Sequence, residues 1–97
     1  MNTLFFKYVI EVDRTRSITQ AADNLFIAQP NLSKALREME ESLGFQIFKR
    51  TSKGVVPTPK GVVFLDYARQ VVLQLDKMEA LANSGCDEML NLGIVIP

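Results

Sequence analysis

Residues 17–37 read SITQAADNLFIAQPNLSKALR. This stretch predicts two short helices joined by a tight turn. Ser17 starts the first through a capping box: its hydroxyl accepts from the Gln20 backbone N–H, and the Gln20 side chain returns to the Ser17 N–H. Ala21 and Ala22 keep that helix thin enough for close approach by another, and Leu25 supplies a core contact. Phe26-Ile27-Ala28 makes the turn. Pro30 suits the first position of the next helix, where its missing N–H is not needed, which leaves Gln29 as the N-cap. Leu32, Leu36, Met39 and Leu43 then form a 4-3-4 apolar row, the inward face of that helix. Gly44 ends it in a left-handed conformation.

Upstream, Phe6, Val9 and Val12 recur every third residue, so 3–13 reads as a helix that the run DRTR ends. Downstream comes FQIFKRTSKGVVPT. Its β-prone pieces, 47–50 and 55–57, flank Thr51-Ser52-Lys53-Gly54 and predict a hairpin. Pro57 has no N–H for a ladder, so its strand must end there or lie at an edge. Thr58 caps and Pro59 opens a last helix to about Asn83, roughly 37 Å at about 1.5 Å per residue. Phe64, Ala68, Val71, Leu75, Met78 and Ala82 form a heptad seam along it, widened by Tyr67, Val72 and Leu81. The seam near Phe64 is expected to pack on the preceding helices, and Val71, Leu75, Met78 and Ala82 on a partner helix. Ser84-Gly85 ends the helix. The tail MLNLGIVIP resembles the first strand of a buried sheet, which suggests a longer protein cut just inside a second domain.

The chain has 97 residues, 47% of them hydrophobic, enough for a small globular core. Its net charge is zero, but the charge is unevenly placed. Residues 29–61 hold six basic and three acidic side chains; residues 62–97 hold two basic and five acidic. The local field decides binding, so the middle suits phosphates and the C-terminal third faces away. The lone Cys86 forms no internal disulfide and fits a reducing, cytoplasmic setting. No signal peptide or membrane span is expected.

Gln29, Asn31, Ser33, Lys34 and Arg37 project opposite the leucine row. Gln or Asn pairs bidentately with adenine, and Lys or Arg with guanine N7 and O6. Each would equally serve as an ordinary solvated face. The hairpin adds Lys49, Arg50, Thr51, Ser52 and Lys53 at or near its tip, a basic wing suited to a DNA backbone or minor groove. Catalysis has little to draw on: Glu38, Glu40 and Glu41 face no second carboxylate cluster, and the chain has no histidine. No metal or cofactor is expected, for want of histidine and paired cysteine. Gly54 and Gly61 form no phosphate loop.

Ser17, Ala21-Ala22, Leu25, Gln29-Pro30, Leu32-Ser33, Leu36, Met39-Glu40, Leu43-Gly44, Phe48, Arg50, Thr58 and Gly61 together resemble, without a gap, the N-terminal DNA-binding domain of a LysR-type transcriptional regulator. The resemblance runs from residue 1 to about 93. It implies a mostly α fold: a winged helix-turn-helix with a three-helix head and a two-stranded β-wing, followed by a long dimerisation helix. The head is expected at 1–58, the linker helix at 59–84, and the start of a missing effector-binding domain at 85–97. The implied function is sequence-specific binding of an inverted repeat in double-stranded DNA by a homodimer that regulates transcription, with no catalysis. A small-molecule effector would act only through the missing C-terminal domain. Base reading carries to Gln29, Pro30, Asn31, Ser33 and Lys34. Wing and backbone contacts carry to Ser17, Thr19, Arg37, Arg50, Thr51 and Lys53.

Four positions depart from the family pattern. Arg16 stands where glycine is usual, so the first turn is expected to differ in shape. Lys34 replaces a common arginine and forks two acceptors less well. Asn31 replaces a small residue or proline, and Pro57 a leucine, which shortens the wing's return strand. The alternative reading is a protein-interaction module without DNA affinity, which a gel-shift assay separates from the first.

Overall fold

The computed structural model describes residues 2–83. Helices α1 (Leu4–Thr15), α2 (Ile18–Leu25) and α3 (Gln29–Leu43) are followed by strands β1 (Phe48–Thr51) and β2 (Gly54–Pro57), and then by helix α4 (Pro59–Asn83). The strands pair antiparallel, with Phe48 opposite Pro57 and Thr51 opposite Gly54. This is a winged helix-turn-helix carrying a long C-terminal helix. The expected end at Ser84-Gly85 and the apolar tail lie outside the described residues.

One core joins every element. Val9 and Val12 of α1, Ala21 and Ala22 of α2, and Leu32, Leu36 and Met39 of α3 are buried together. Ile47, Phe48 and Val55 enter from the wing, and Leu65 and Ala68 from α4. The 4-3-4 row of α3 is therefore the inward face, with Leu43 half-buried at its end. Phe64 seats α4 on the head, its ring 6.2 Å from both Phe6 and Phe45.

Helix ends follow local chemistry, with several corrections. α1 runs two residues past the expected end, to Thr15, whose hydroxyl donates to the Glu11 carbonyl, 3.0 Å away. The Ser17 hydroxyl accepts from the Gln20 N–H at 3.1 Å. The return half of the capping box is absent: the Gln20 amide donates to Asn24, 2.9 Å away, and the Ser17 N–H uses the Thr15 hydroxyl at 3.3 Å. α3 starts one residue early, with Ala28 as its N-cap and Pro30 in the first turn. Gly44 closes α3 at φ 82°, as expected. Thr58 caps α4 by accepting from the Gly61 N–H at 2.9 Å.

Among the described residues, two other than glycine adopt positive φ, and they bracket α2: Arg16 at 58° and Phe26 at 60°. The glycine usual at position 16 would enter this left-handed region freely. The turn thus keeps a glycine-type shape despite the arginine, and the expectation of a different one is corrected. The Arg16 guanidinium offsets part of the strain by donating to the Asp13 carbonyl at 2.8 Å and pairing with the Asp13 carboxylate at 3.2 Å.

Candidate nucleic-acid interface

Helix α3 presents two sets of side chains at its N-terminal end. Pro30, Asn31, Lys34 and Arg37 are exposed on the face opposite the leucine row, whereas Gln29 and Ser33 lie half-buried along one edge. They are one turn apart, and the Gln29 Nε2 donates to the Ser33 Oγ at 2.8 Å. No acidic residue occupies the first turn of α3, so its positive dipole end stays uncompensated. Glu38 and Glu41 sit exposed further along the helix.

The hairpin register sets which wing residues meet α3. Side chains alternate across a strand pair, so Phe48, Arg50, Val55 and Pro57 share one face, and Lys49, Thr51, Gly54 and Val56 the other. Phe48 and Val55 bury themselves in the core. Arg50 follows them toward the head and lines an open cleft with Ile18, Ser33, Leu36, Arg37 and Glu40. Residues from the start of α2, the outer edge of α3 and the wing are thereby brought to one place. Thr19 is exposed in the first turn of α2, and Lys53 is exposed at the wing tip. The hydroxyls of Ser17 and Thr51 are already engaged. Ser17 caps α2, and Thr51 donates to the Gly54 carbonyl at 3.1 Å while accepting from the Lys53 N–H at 3.2 Å.

The ion pairs are distributed tellingly. Among the described residues, those present join Arg14 to Glu11, and Arg16 and Arg69 to Asp13. No carboxylate among the described residues lies within ion-pair distance of Lys34, Arg37, Lys49, Arg50 or Lys53. Arg14, Arg16 and Arg69 are neutralised locally; the basic groups facing outward from α3 and the wing are not, and neither are Lys7, Lys60 and Lys77 among the described residues. Glu11 shows the effect of such pairing. Hydrogen bonds from Arg14 and then from Asn24 hold its carboxyl below the usual carboxylate range.

The wing is fixed by residues that sequence reasoning did not single out for this task. The Glu40 carboxylate accepts from the Ile47 N–H at 2.7 Å and the Phe48 N–H at 3.1 Å, locking the start of β1 to α3. The Val55 N–H donates to the Arg16 carbonyl at 3.1 Å. Gly54, at φ 136°, makes room for that carbonyl, since a Cβ would stand 2.3 Å from it. Gly61 does the same for the Ile47 carbonyl, 2.0 Å from the position of a Cβ. The glycines were visible in the sequence, but the carbonyls they face come from distant segments.

The heptad row of α4 divides. Ala68, in its first half, is buried against the head, and Leu75, of the expected dimer seam, is half-buried. Leu75, Met78 and Ala82 line a groove with Thr3, Leu4 and Lys7 of α1. Leu65, left out of the expected seam, is buried where α4 meets the head. The exposed apolar strip is accordingly rotated toward Val63, Tyr67, Val71 and Met78, with Tyr67 62% and Met78 64% exposed. No helix among the described residues is long and apolar enough to cross a membrane.

Comparison with known proteins agrees with this geometry. Residues 5–62 match the family described as bacterial regulatory helix-turn-helix protein, lysR family. The chain is 34% identical to the HTH-type transcriptional regulator BenM of Acinetobacter baylyi, over 98% of its own length and 32% of BenM. It is 30% identical to the DNA-binding transcriptional dual regulator OxyR of Escherichia coli, again over 98% of this chain and 32% of that one. It thus spans about a third of the length of these relatives. The crystal structure of a complex between the BenM DBD and benA site 1 DNA superposes with a TM-score of 0.80 at 37% identity, covering 86% of this chain and 96% of that one.

Proposed function

This chain belongs to the lysR family of bacterial regulatory helix-turn-helix proteins, and on that premise we propose that it binds double-stranded DNA sequence-specifically, as a homodimer that regulates transcription. The observation that carries the proposal is the basic surface where α3 and the wing converge. Arg37 and Arg50 line one cleft, and among the described residues no carboxylate stands within ion-pair distance of either. Phosphates are the natural counter-charge for such a surface.

In this reading residues 1–58 form the DNA-binding head. α3 enters the major groove, and Gln29, Pro30, Asn31, Ser33 and Lys34 act at base edges. Arg37, Arg50 and Lys53 meet the backbone, with Ser17, Thr19 and Thr51 beside it. Because the hydroxyls of Ser17 and Thr51 are held internally, their contribution comes from shaping the helix start and the wing turn. The helix over 59–84 pairs two chains through Val71, Leu75, Met78 and Ala82 and sets the spacing of the two halves of an inverted repeat. Effector binding, assigned to a C-terminal domain beginning near residue 85, and a cytoplasmic location complete the proposal. It includes no catalytic step.

A gel shift over a salt series tests it. The chain should retard duplexes selected from a randomised pool more strongly than bulk DNA. Arg37→Ala, Arg50→Ala and Lys53→Ala should each weaken binding to all sequences and reduce the salt slope by about one. A chain that shifts no duplex at low salt would favour the protein-interaction module instead.

A further inference from the structure

We propose that Ser33 is a positioning residue for Gln29, so that the two form one reading unit on the edge of α3. This rests on the reading of α3 as the base-reading helix and goes beyond it by separating two residues that both lie beside the bases. Gln29 and Ser33 stand one helical turn apart, and side chains four residues apart meet on a helix surface. Their hydrogen bond is 2.8 Å long, with the Gln29 amide nitrogen as donor. Both side chains are half-buried, unlike Pro30, Asn31 and Lys34 beside them.

The chemistry of the amide makes the bond consequential. A glutamine amide carries two N–H donors and one carbonyl oxygen. Ser33 takes one N–H. The carbonyl and the second N–H remain, and these are the two groups that pair with adenine N6 and N7. An untethered glutamine has three rotatable bonds to order on binding. Tethered to Ser33, it meets the groove with its orientation already set, which is how preorganisation raises affinity for a matched partner. Ser33 itself turns toward the cleft shared with Arg37, Glu40 and Arg50, to the side of the exposed face.

Base-by-base competition on the intact 97-residue chain tests the assignment. Duplexes selected from a randomised pool are varied through all four base pairs at each position of the half-site. Gln29→Ala should flatten discrimination at one position. Ser33→Ala should reduce discrimination at that same position, about three- to tenfold, the effect of losing one ordinary hydrogen bond. The double variant should be no worse than Gln29→Ala alone, and Ser33→Thr, which keeps the hydroxyl, should restore most of the preference. Ser33→Ala acting at a different base pair, or adding its full effect to that of Gln29→Ala, would make Ser33 an independent reader and overturn the inference. So would a uniform loss over all sequences. A wild-type profile flat at every position would remove base reading itself and this inference with it, an outcome visible before any variant is made.

Discussion

Helices α3 and α4 carry apolar rows at nearly the same spacing, and the rows meet opposite fates. Leu32, Leu36 and Met39 of α3 are all buried. In α4 the stretch around Leu65 and Ala68 is buried, whereas Met78 of the same helix is 64% exposed. Spacing defines an apolar face. What covers it depends on how much protein lies within reach. α3 sits in the middle of the head, with α1, α2 and the wing around it. α4 is 25 residues long, and its second half is bordered by the start of α1 along an open groove. One row is a core, and the other is a core for its first half and an unfilled surface for its second.

The largest expected contrast tests this division. Leu32→Ala should destabilise the folded chain by about 2–5 kcal/mol, as fully buried leucines do. Met78→Glu should leave unfolding within about 0.5 kcal/mol of the parent, because its site is exposed. Its effect should appear in sedimentation instead, as dimer dissociation raised roughly tenfold or more, since a two-fold pairing brings the new charge in from both chains. Equal unfolding losses in urea for the two variants would break the comparison. An unchanged dimer in Met78→Glu would move the pairing surface off this strip.

The joint between the two fates is Gly61, where α4 crosses the wing. A Cβ there would meet the Ile47 carbonyl at 2.0 Å, and backbone yields less readily than a side chain. Gly61→Ala should therefore cost about 1–3 kcal/mol, in the range of overpacked cores, and loosen the wing against α4. Urea unfolding gives the first effect. Hydrogen exchange at the Thr58 N–H, which bonds to the Ile47 carbonyl at 2.9 Å, gives the second. Next in size is Ser17→Ala, which removes the hydroxyl that accepts from the Gln20 N–H. Its expected cost is about 1 kcal/mol, again in the head and not in the dimer.

These positions also show which parts of the molecule sequence reading reaches. Ser17, Gly44, Thr58 and the hairpin turn are local devices whose partners lie within a few residues, so their roles could be read from the chain. The α3 row was equally legible because one periodicity suffices to define it. Glu40 was legible only as a glutamate, since the N–H groups it accepts from, on Ile47 and Phe48, come near it only after α3 and β1 have packed. The left-handed Arg16 ran against the expectation that arginine would reshape the turn, and its carbonyl's role as acceptor for Val55 depends on where the wing docks. Spacing alone did not reveal how the α4 row would divide: Leu65, outside the expected row, is buried against the head, whereas Tyr67 and Met78 are exposed. For the candidate interface, residue types and order were readable. That Arg50, from a strand, lines the same cleft as Arg37 followed only from the register of the hairpin.

The smallest effect concerns acid, and it separates the two regions once more. Glu11 ties α1 to α2 by accepting from Arg14 and, at 2.7 Å, from Asn24. Those bonds, Arg14's first, lower its pKa in the folded chain. A carboxyl with a lowered folded pKa binds fewer protons folded than unfolded over the interval between its two pKa values. Its contribution to stability is therefore complete above the usual carboxylate range, and it fades as pH falls through that range to the lowered value. The Arg14 side chain is exposed, and surface pairs contribute little, so the effect on midpoint should be slight. Glu11→Gln should remove this part of the acid limb, making unfolding of the head less steeply pH-dependent at the acid end while leaving its midpoint near neutrality almost unchanged. Dimer dissociation, governed by the distal strip of α4, should follow the same pH course in parent and variant. A variant whose head loses stability on acidification as steeply as the parent would show that Glu11 is not a source of that slope. A variant whose dimer changed its pH course would show that the head and the distal helix are not independent.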